Sequence, residues 1–198
     1  MPRLTQAERT EATTTQLIAA AQLLFGRDGY TATSIDAVAA AAGMTKGAAY
    51  HHFATKGALF RAVFVREQEQ VAADLERTTG AEPDPWSALR RGARTFLQRC
   101  LDPAFRRIAL LDGPSVMGWA EVRAIQSGHA LRVLTDGLRA AAPTPHEPDA
   151  TLAARAHLAF GALCEAGLLL AKADDPEAAL PGVLSEAERL LAAVAGRS

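Results

Sequence analysis

Residues 33–59 read TSIDAVAAAAGMTKGAAYHHFATKGAL. Hydroxyl residues stand at three points in this stretch where a helix N-cap is wanted, each ahead of a run of helix formers. Thr33 with Asp36 fits a reciprocal capping box. The helix it opens carries Ile35, Val38, Ala39 and Ala42 on one apolar face, and Gly43 permits a tight turn that a side chain would obstruct. Thr45 then caps a second short helix, Lys46 to about Phe53, and Thr55 opens a longer one from Lys56 to about Thr79. Two short helices joined at Gly43 form a helix-turn-helix. The second is slim, because Gly47, Ala48 and Ala49 are small, so it fits a DNA major groove with its N-terminal residues at base edges. Lys46, Tyr50 and His51 carry donors, unpaired amides near Thr33, Thr45 and Thr55 accept phosphates, and Lys56 adds a charge.

Outward from this stretch the chain reads as all-α. Its 198 residues include 44 alanines, and no segment alternates apolar and polar residues as a half-buried strand would. Hydrophobic residues make up 49% and charged residues 22%, which excludes an intrinsically disordered chain. The formal net charge of −1 carries no global sign of a nucleic-acid partner. Residues 1–56 hold five basic and four acidic side chains, so even the helix-turn-helix region is barely basic. Any grip on DNA then leans on helix-start amides and doubled contacts, with a modest salt dependence. The first helix is expected at about 10–28, closed by Gly29, and Arg3 and Arg9 are candidates for a flexible arm that reaches phosphate. Asp84-Pro85 and Asp102-Pro103 start helices at about 85–101 and 103–111, and another is expected at about 118–141. Pro143, Pro145 and Pro148 mark a loop before a long helix at about 149–173. Pro181 argues for a turn at 176–180 and a last helix at about 181–195. The 16 residues between Arg155 and Lys172 are shorter than the about 20 a membrane helix needs, so a buried helix is the better reading. The N-terminus has no apolar signal core, which points to a cytoplasmic chain.

The stretch from residue 33 to 59 resembles the DNA-binding domain of TetR-family transcriptional regulators. The resemblance rests on Ile35, Val38-Ala39, Ala42-Gly43-Met44-Thr45, Gly47-Ala48-Ala49-Tyr50, His52-Phe53, Lys56 and Leu59, with Phe25, Gly29 and Tyr30 upstream. Ala49 departs from the pattern, since the family more often has a larger apolar residue there. The resemblance implies a DNA-binding domain at 1–55 and a ligand-binding and dimerisation domain at 56–198. It implies that Lys46 and Ala48, with Thr45 and Gly47 beside them, face bases. Tyr50, His51, Lys56 and Thr33 or Ser34 would then meet phosphates. His52 is expected to be structural, and adjacent histidines point apart, so the pair does not suit one metal.

Two late helices carry a seven-residue apolar rhythm: Leu152, Ala156, Ala159, Leu163, Ala166 and Leu170, then Leu184 and Leu191. One such stripe suits an internal core equally well; the resemblance implies that the pair forms a four-helix homodimer interface. Phe64, Trp86, Phe96, Cys100, Phe105, Met117, Trp119 and Phe160 suit either a core or an apolar cavity. The resemblance implies a ligand pocket among them for a small, largely apolar effector, with His129 and Glu165 as polar candidates. Residues 106–119, RRIALLDGPSVMGW, resemble a segment of a subset of the family. No cofactor or metal is expected. The chain lacks Gly-x-Ser-x-Gly, HExxH and phosphate-loop motifs, which argues against a helical enzyme. The leading expectation is a repressor released from a pseudo-palindromic operator by a small molecule; an architectural DNA-binding protein is the alternative.

Overall fold

A computed structural model describes residues 5–142 and 148–196; Arg3, Pro143 and Pro145 lie outside the described residues. Among the described residues the chain forms helices joined by short turns, and no strand. Helix α1 spans Gln6–Ala32 and starts in a capping box built by Thr5 and Glu8. It therefore begins earlier than expected and holds Arg9 in a regular helix, not in an arm. Its helical path breaks at Gly29, where φ is 84° and ψ is 169°. A side chain would be strained in that conformation, so glycine is required. Helices α2 (Ile35–Ala41), α3 (Lys46–His52) and α4 (Lys56–Thr79) follow, with hydroxyl caps from Ser34, Thr45 and Thr55. Gly43 makes the turn between α2 and α3 at φ 68°.

Asp84 and Asp102 cap α5 (Pro85–Arg99) and α6 (Pro103–Arg106), each with proline at the first helical position. The chain then widens into a π-helical turn, Arg107–Asp112, instead of continuing as the α-helix expected to residue 111. After it come α7 (Gly113–Met117), α8 (Trp119–Ser127) and α9 (Ala130–Ala141). The single helix expected at about 118–141 is thus two, divided at Gly128-His129, where the His129 Nδ1 lies 2.7 Å from the Ile125 carbonyl oxygen. Helix α10 spans Asp149–Lys172 and α11 Pro176–Val194. Pro181 sits inside α11 and does not end it. Its missing amide falls in the second turn, where its i−4 neighbour Glu177 is exposed, so the lost hydrogen bond is not buried.

The core is in two parts. The first joins Leu17 and Phe25 of α1, Ile35 and Val38 of α2 and Ala49 of α3 to Phe60 and Phe64 of α4, and takes in Ile108, Val122 and Ile125. Packing therefore runs across residue 56 without a gap. The second gathers α5, α9, α10 and α11 around Phe96, Leu97, Phe105, Phe160, Leu170 and Leu191. By length and composition α10 would suit a membrane span, but Leu152, Ala156, Leu163 and Leu170 are packed inside this second core.

Backbones approach closely where glycine allows it. A Cβ on Gly167 of α10 would lie 2.7 Å from the Cys100 Sγ and 3.1 Å from its Cβ. Gly167→Ala is expected to lower stability by about 1–3 kcal/mol through overpacking, read from urea denaturation at fixed protein concentration. Adding Cys100→Ala removes the closest atom and should recover part of that loss.

Candidate nucleic-acid interface

The geometry of α3 follows from what lies beneath it. Ala49 is 1% exposed and faces the first core, with Met44 and Phe53 packed beside it. The opposite face of α3 looks outward. Thr45 and Gly47 are exposed, Ala48 is half-buried, and a Cβ at Gly47 would meet nothing within 4 Å. Tyr50 is 42% exposed, an unusual position for an aromatic ring, and His51 beside it is exposed too. The Thr45 hydroxyl accepts the Ala48 amide at 3.2 Å and the Ser34 hydroxyl the Ala37 amide at 3.1 Å, so each cap satisfies one of its helix-start amides. Lys46, Tyr50 and His51 thus share one open face with two helix starts.

Asp36 belongs to the same face. Lys46 Nζ donates to Asp36 Oδ2 at 2.7 Å and lies 5.6 Å from the Tyr50 ring centre. The hydrogen bond to Asp36 raises the Lys46 pKa above its ordinary value, so the ammonium keeps its charge at neutral pH. Asp36 was read only as a capping-box member. The box is absent: Ser34 is the cap, which leaves the Asp36 carboxylate free to reach across to α3.

Two residues assigned to phosphate are placed elsewhere. Thr33 is 3% exposed and donates its hydroxyl to the Gly29 carbonyl at 2.9 Å. Lys56 is half-buried; its Nζ donates to the carbonyls of Tyr30 at 2.8 Å and Thr31 at 3.3 Å, and sits 4.2 Å over the Tyr30 ring. Both serve the reversal of the chain after α1, whose freed carbonyls need donors. His52 Nδ1 lies 3.0 Å from the Thr14 hydroxyl, which ties α3 to α1.

The late apolar stripe is also placed differently from its reading as an interface. Leu152, Ala156, Ala159, Leu163, Leu170, Leu184 and Leu191 are buried within the chain, and Ala166 is packed against them. The outward face is one step round: Leu158 is 73% exposed, Leu169 52% and Leu190 40%. Its signal in the sequence is Leu158 and Leu169, apolar positions of α10 that stand outside the 152–170 stripe.

Of the ten residues assigned to a ligand pocket, Phe96 and Phe160 line a cavity of about 310 Å³ between α4, α5, α9 and α10. The other eight do not. Phe64 and Met117 pack in or against the first core, Cys100 and Phe105 lie in the second with Trp86 against it, and Trp119 is mostly exposed. The ring of His129 is engaged at Ile125, and Glu165 lines an outer groove between α10 and α11. Burial pushes the Cys164 thiol up to about 12 and raises that of Cys100 also, so both stay protonated at neutral pH. The cavity walls include Leu75, Leu89, Ala93, Leu134 and Leu163, aliphatic side chains indistinguishable from ordinary core in a sequence.

A sequence profile described as "Tetracyclin repressor-like, C-terminal domain" matches residues 86–194, more than half of the chain, and one described as "Bacterial regulatory proteins, tetR family" matches residues 17–63. The chain belongs to the TetR family. The Transposon Tn10 TetC protein of Escherichia coli is 33% identical over 121 residues, 61% of this chain and 60% of that protein. The HTH-type transcriptional repressor Rv1474c of Mycobacterium tuberculosis is 30% identical over 149 residues, 70% of this chain and 71% of its own length. The crystal structure of a TetR-family transcriptional regulator from Pectobacterium atrosepticum, 30% identical, superposes with a TM-score of 0.75 over 96% of this chain and 97% of its own. Family membership sets aside the helical-enzyme reading and accounts for the order of elements in this TetR-family chain.

The Lys56 contacts yield a test of how α3 is held. Lys56→Met keeps the aliphatic stem and strips the ammonium from two carbonyls. It should cost about 1.5–3 kcal/mol, the range for hydrogen bonds to a charged group, with amide exchange rising first in residues 30–53. Unchanged exchange there would mean that the remaining contacts of the reversal, from Thr33, Arg107 and Asp112 and the Tyr30 ring, hold it without the ammonium.

Proposed function

We propose that this TetR-family chain is a cytoplasmic repressor that binds a pseudo-palindromic operator as a homodimer and is released by a small-molecule effector. The observation that carries the reading is the exposed face of α3. Within seven residues it sets Lys46, Tyr50 and His51 in the open, backed by the buried Ala49 and beside the cap at Thr45. Lys46, Gly47 and Ala48 lie at the N-terminal end of α3, the part that meets base edges in a major groove. Tyr50 and His51 follow it in α3, with donors suited to the backbone. Residues 1–55 would then hold the DNA contacts and residues 56–198 the effector and the second subunit, with α4 joining the two.

Substitution of Lys46 or Tyr50 by Ala is expected to weaken operator binding by about 1–3 kcal/mol for a base-reading contact, and less for a phosphate contact. Both variants should melt like the parent, because both side chains are exposed. Fluorescence anisotropy on a site selected from random DNA measures this; unchanged affinity for both would remove α3 from the interface. With so few free cations the salt slope should be shallow.

For the dimer we favour the outward faces of α10 and α11. Leu158, Leu169 and Leu190 are exposed there, and Gly161 and Gly182 leave open space above their backbones. Such a patch on a lone chain is expected to be covered by a partner, and two-fold pairing would present two copies of α3 to a palindrome. Leu158→Glu with Leu190→Glu should give a monomer by analytical ultracentrifugation and lose operator binding. A dimer that survives both changes would place the interface elsewhere.

A further inference from the structure

The cavity between α4, α5, α9 and α10 has a chemistry of its own. Its interior is Leu89, Ala93, Phe96, Leu134, Phe160 and Leu163, with no ionisable group among them. All of its charge lies among the lining residues Glu76 of α4 and Arg132 and Asp136 of α9, each about half exposed. These three already satisfy one another. Arg132 NH2 pairs with Glu76 Oε1, and its NH1 lies 3.5 Å from Asp136 Oδ2. Arg139 reaches Asp136 at 3.2 Å and Asp149 at 3.6 Å, so Asp136 keeps a second cation beside it. The hydrogen bond that Arg132 donates to Glu76 holds its guanidinium above the ordinary pKa, so Arg132 stays a cation.

A ligand anion would have to take Arg132 from both carboxylates and leave Glu76 without its cation. A ligand cation would have to displace Arg132 from Glu76. Either ion would also lose its hydration to an apolar interior that offers no counter-charge. Size narrows the choice further. An apolar cavity of about 150 Å³ holds one benzene ring, and this one, at about 310 Å³, has room for two. The Glu76–Arg132 pair also ties α9 to the last turns of α4, across the cavity rim. An exposed pair of this kind is weak and opens readily.

We propose that this cavity takes an uncharged, largely apolar molecule of two-ring size, and that Glu76, Arg132 and Asp136 form a gate that turns ions of either sign away. The proposal deepens the effector reading and rests on it only for the consequence at DNA. An occupant would lie against α5, α9 and the end of α4, the same helix whose start is fixed through Lys56 to the chain reversal before α2.

Three probes of equal shape test the gate: 2-naphthol, 2-naphthoate and 2-naphthylmethylammonium, titrated calorimetrically into the full chain at neutral pH. 2-Naphthol should bind at least tenfold tighter than either ion. Ala93→Phe fills the cavity and should abolish its binding. Should that variant fail to fold, Thr79→Phe, half-exposed at the rim, blocks access with little burden on the core. Glu76→Gln with Arg132→Gln should leave 2-naphthol binding within about threefold and shrink the discrimination against the ions several-fold. The proposal is overturned by ions that bind as tightly as the neutral probe, by no binding of any probe, or by binding that survives both blocking variants. Operator anisotropy is read separately. Selective cavity binding with no loss of DNA affinity would refute the effector reading and leave the cavity assignment standing.

Discussion

The reversal of the chain at the end of α1 sets the position of everything that follows it. At Gly29 the backbone enters a conformation that only glycine adopts without strain, and the carbonyls and amides freed by the broken helix must find other partners. Those partners come from two sides. From the body, Arg107 of the π-helical turn donates to the carbonyls of Gly26 and Arg27, and Asp112 accepts the Tyr30 amide at 2.8 Å. From the start of α4, Lys56 donates to Tyr30 and Thr31. The Tyr30 ring fills the space between, 5.9 Å from Phe25 and 5.2 Å from Phe60. The π-helical register has a role here: a wider turn sets Arg107 and Asp112 five residues apart and lets both reach α1.

That clasp links the exposed face of α3 to the cavity. The helix-turn-helix rides on α1 and α4, and both helices are held at the reversal by residues of the body. Farther along α4, the buried Glu67 accepts from Gln22 of α1 at 2.6 Å and from Arg99 of α5 at 3.0 Å. A carboxylate this deep is tolerated because both neighbours donate to it, and removal of Arg99 would leave its charge uncompensated. Helix α4 is therefore gripped near its start and its middle, and at its far end it forms one wall of the cavity. Strain introduced at that end has a continuous packed route to α3.

The near-zero net charge acquires a local meaning on α3. Lys46 does not stand alone but is paired with Asp36, and Lys56 is engaged by carbonyls within the chain. Of the three charged or ring donors expected to meet DNA directly, only Tyr50 and His51 point outward without an acidic neighbour in contact. A surface built this way attracts a polyanion weakly at long range and depends on fit at contact.

Much of this was legible in the sequence because it depends on neighbours a few residues apart. Caps at Thr45, Thr55, Asp84 and Asp102, the turn at Gly43 and the slim face of α3 follow from local hydrogen bonding and side-chain size. The motif in residues 33–59 carried the family with it. Tertiary structure alone decided the rest. A stripe of Leu and Ala at 152–170 has the same spacing whether it meets its own core or a second subunit, so burial on the inner face could be read only once α10 was packed. Thr33 and Lys56 have side chains fit for phosphate, yet the carbonyls freed at Gly29 are nearer and claim them. The cavity is lined by aliphatic residues from four helices, and a void among such residues leaves no mark on any one of them. Spacing along a chain specifies which side chains share a face; what that face meets is set by contacts distant in sequence.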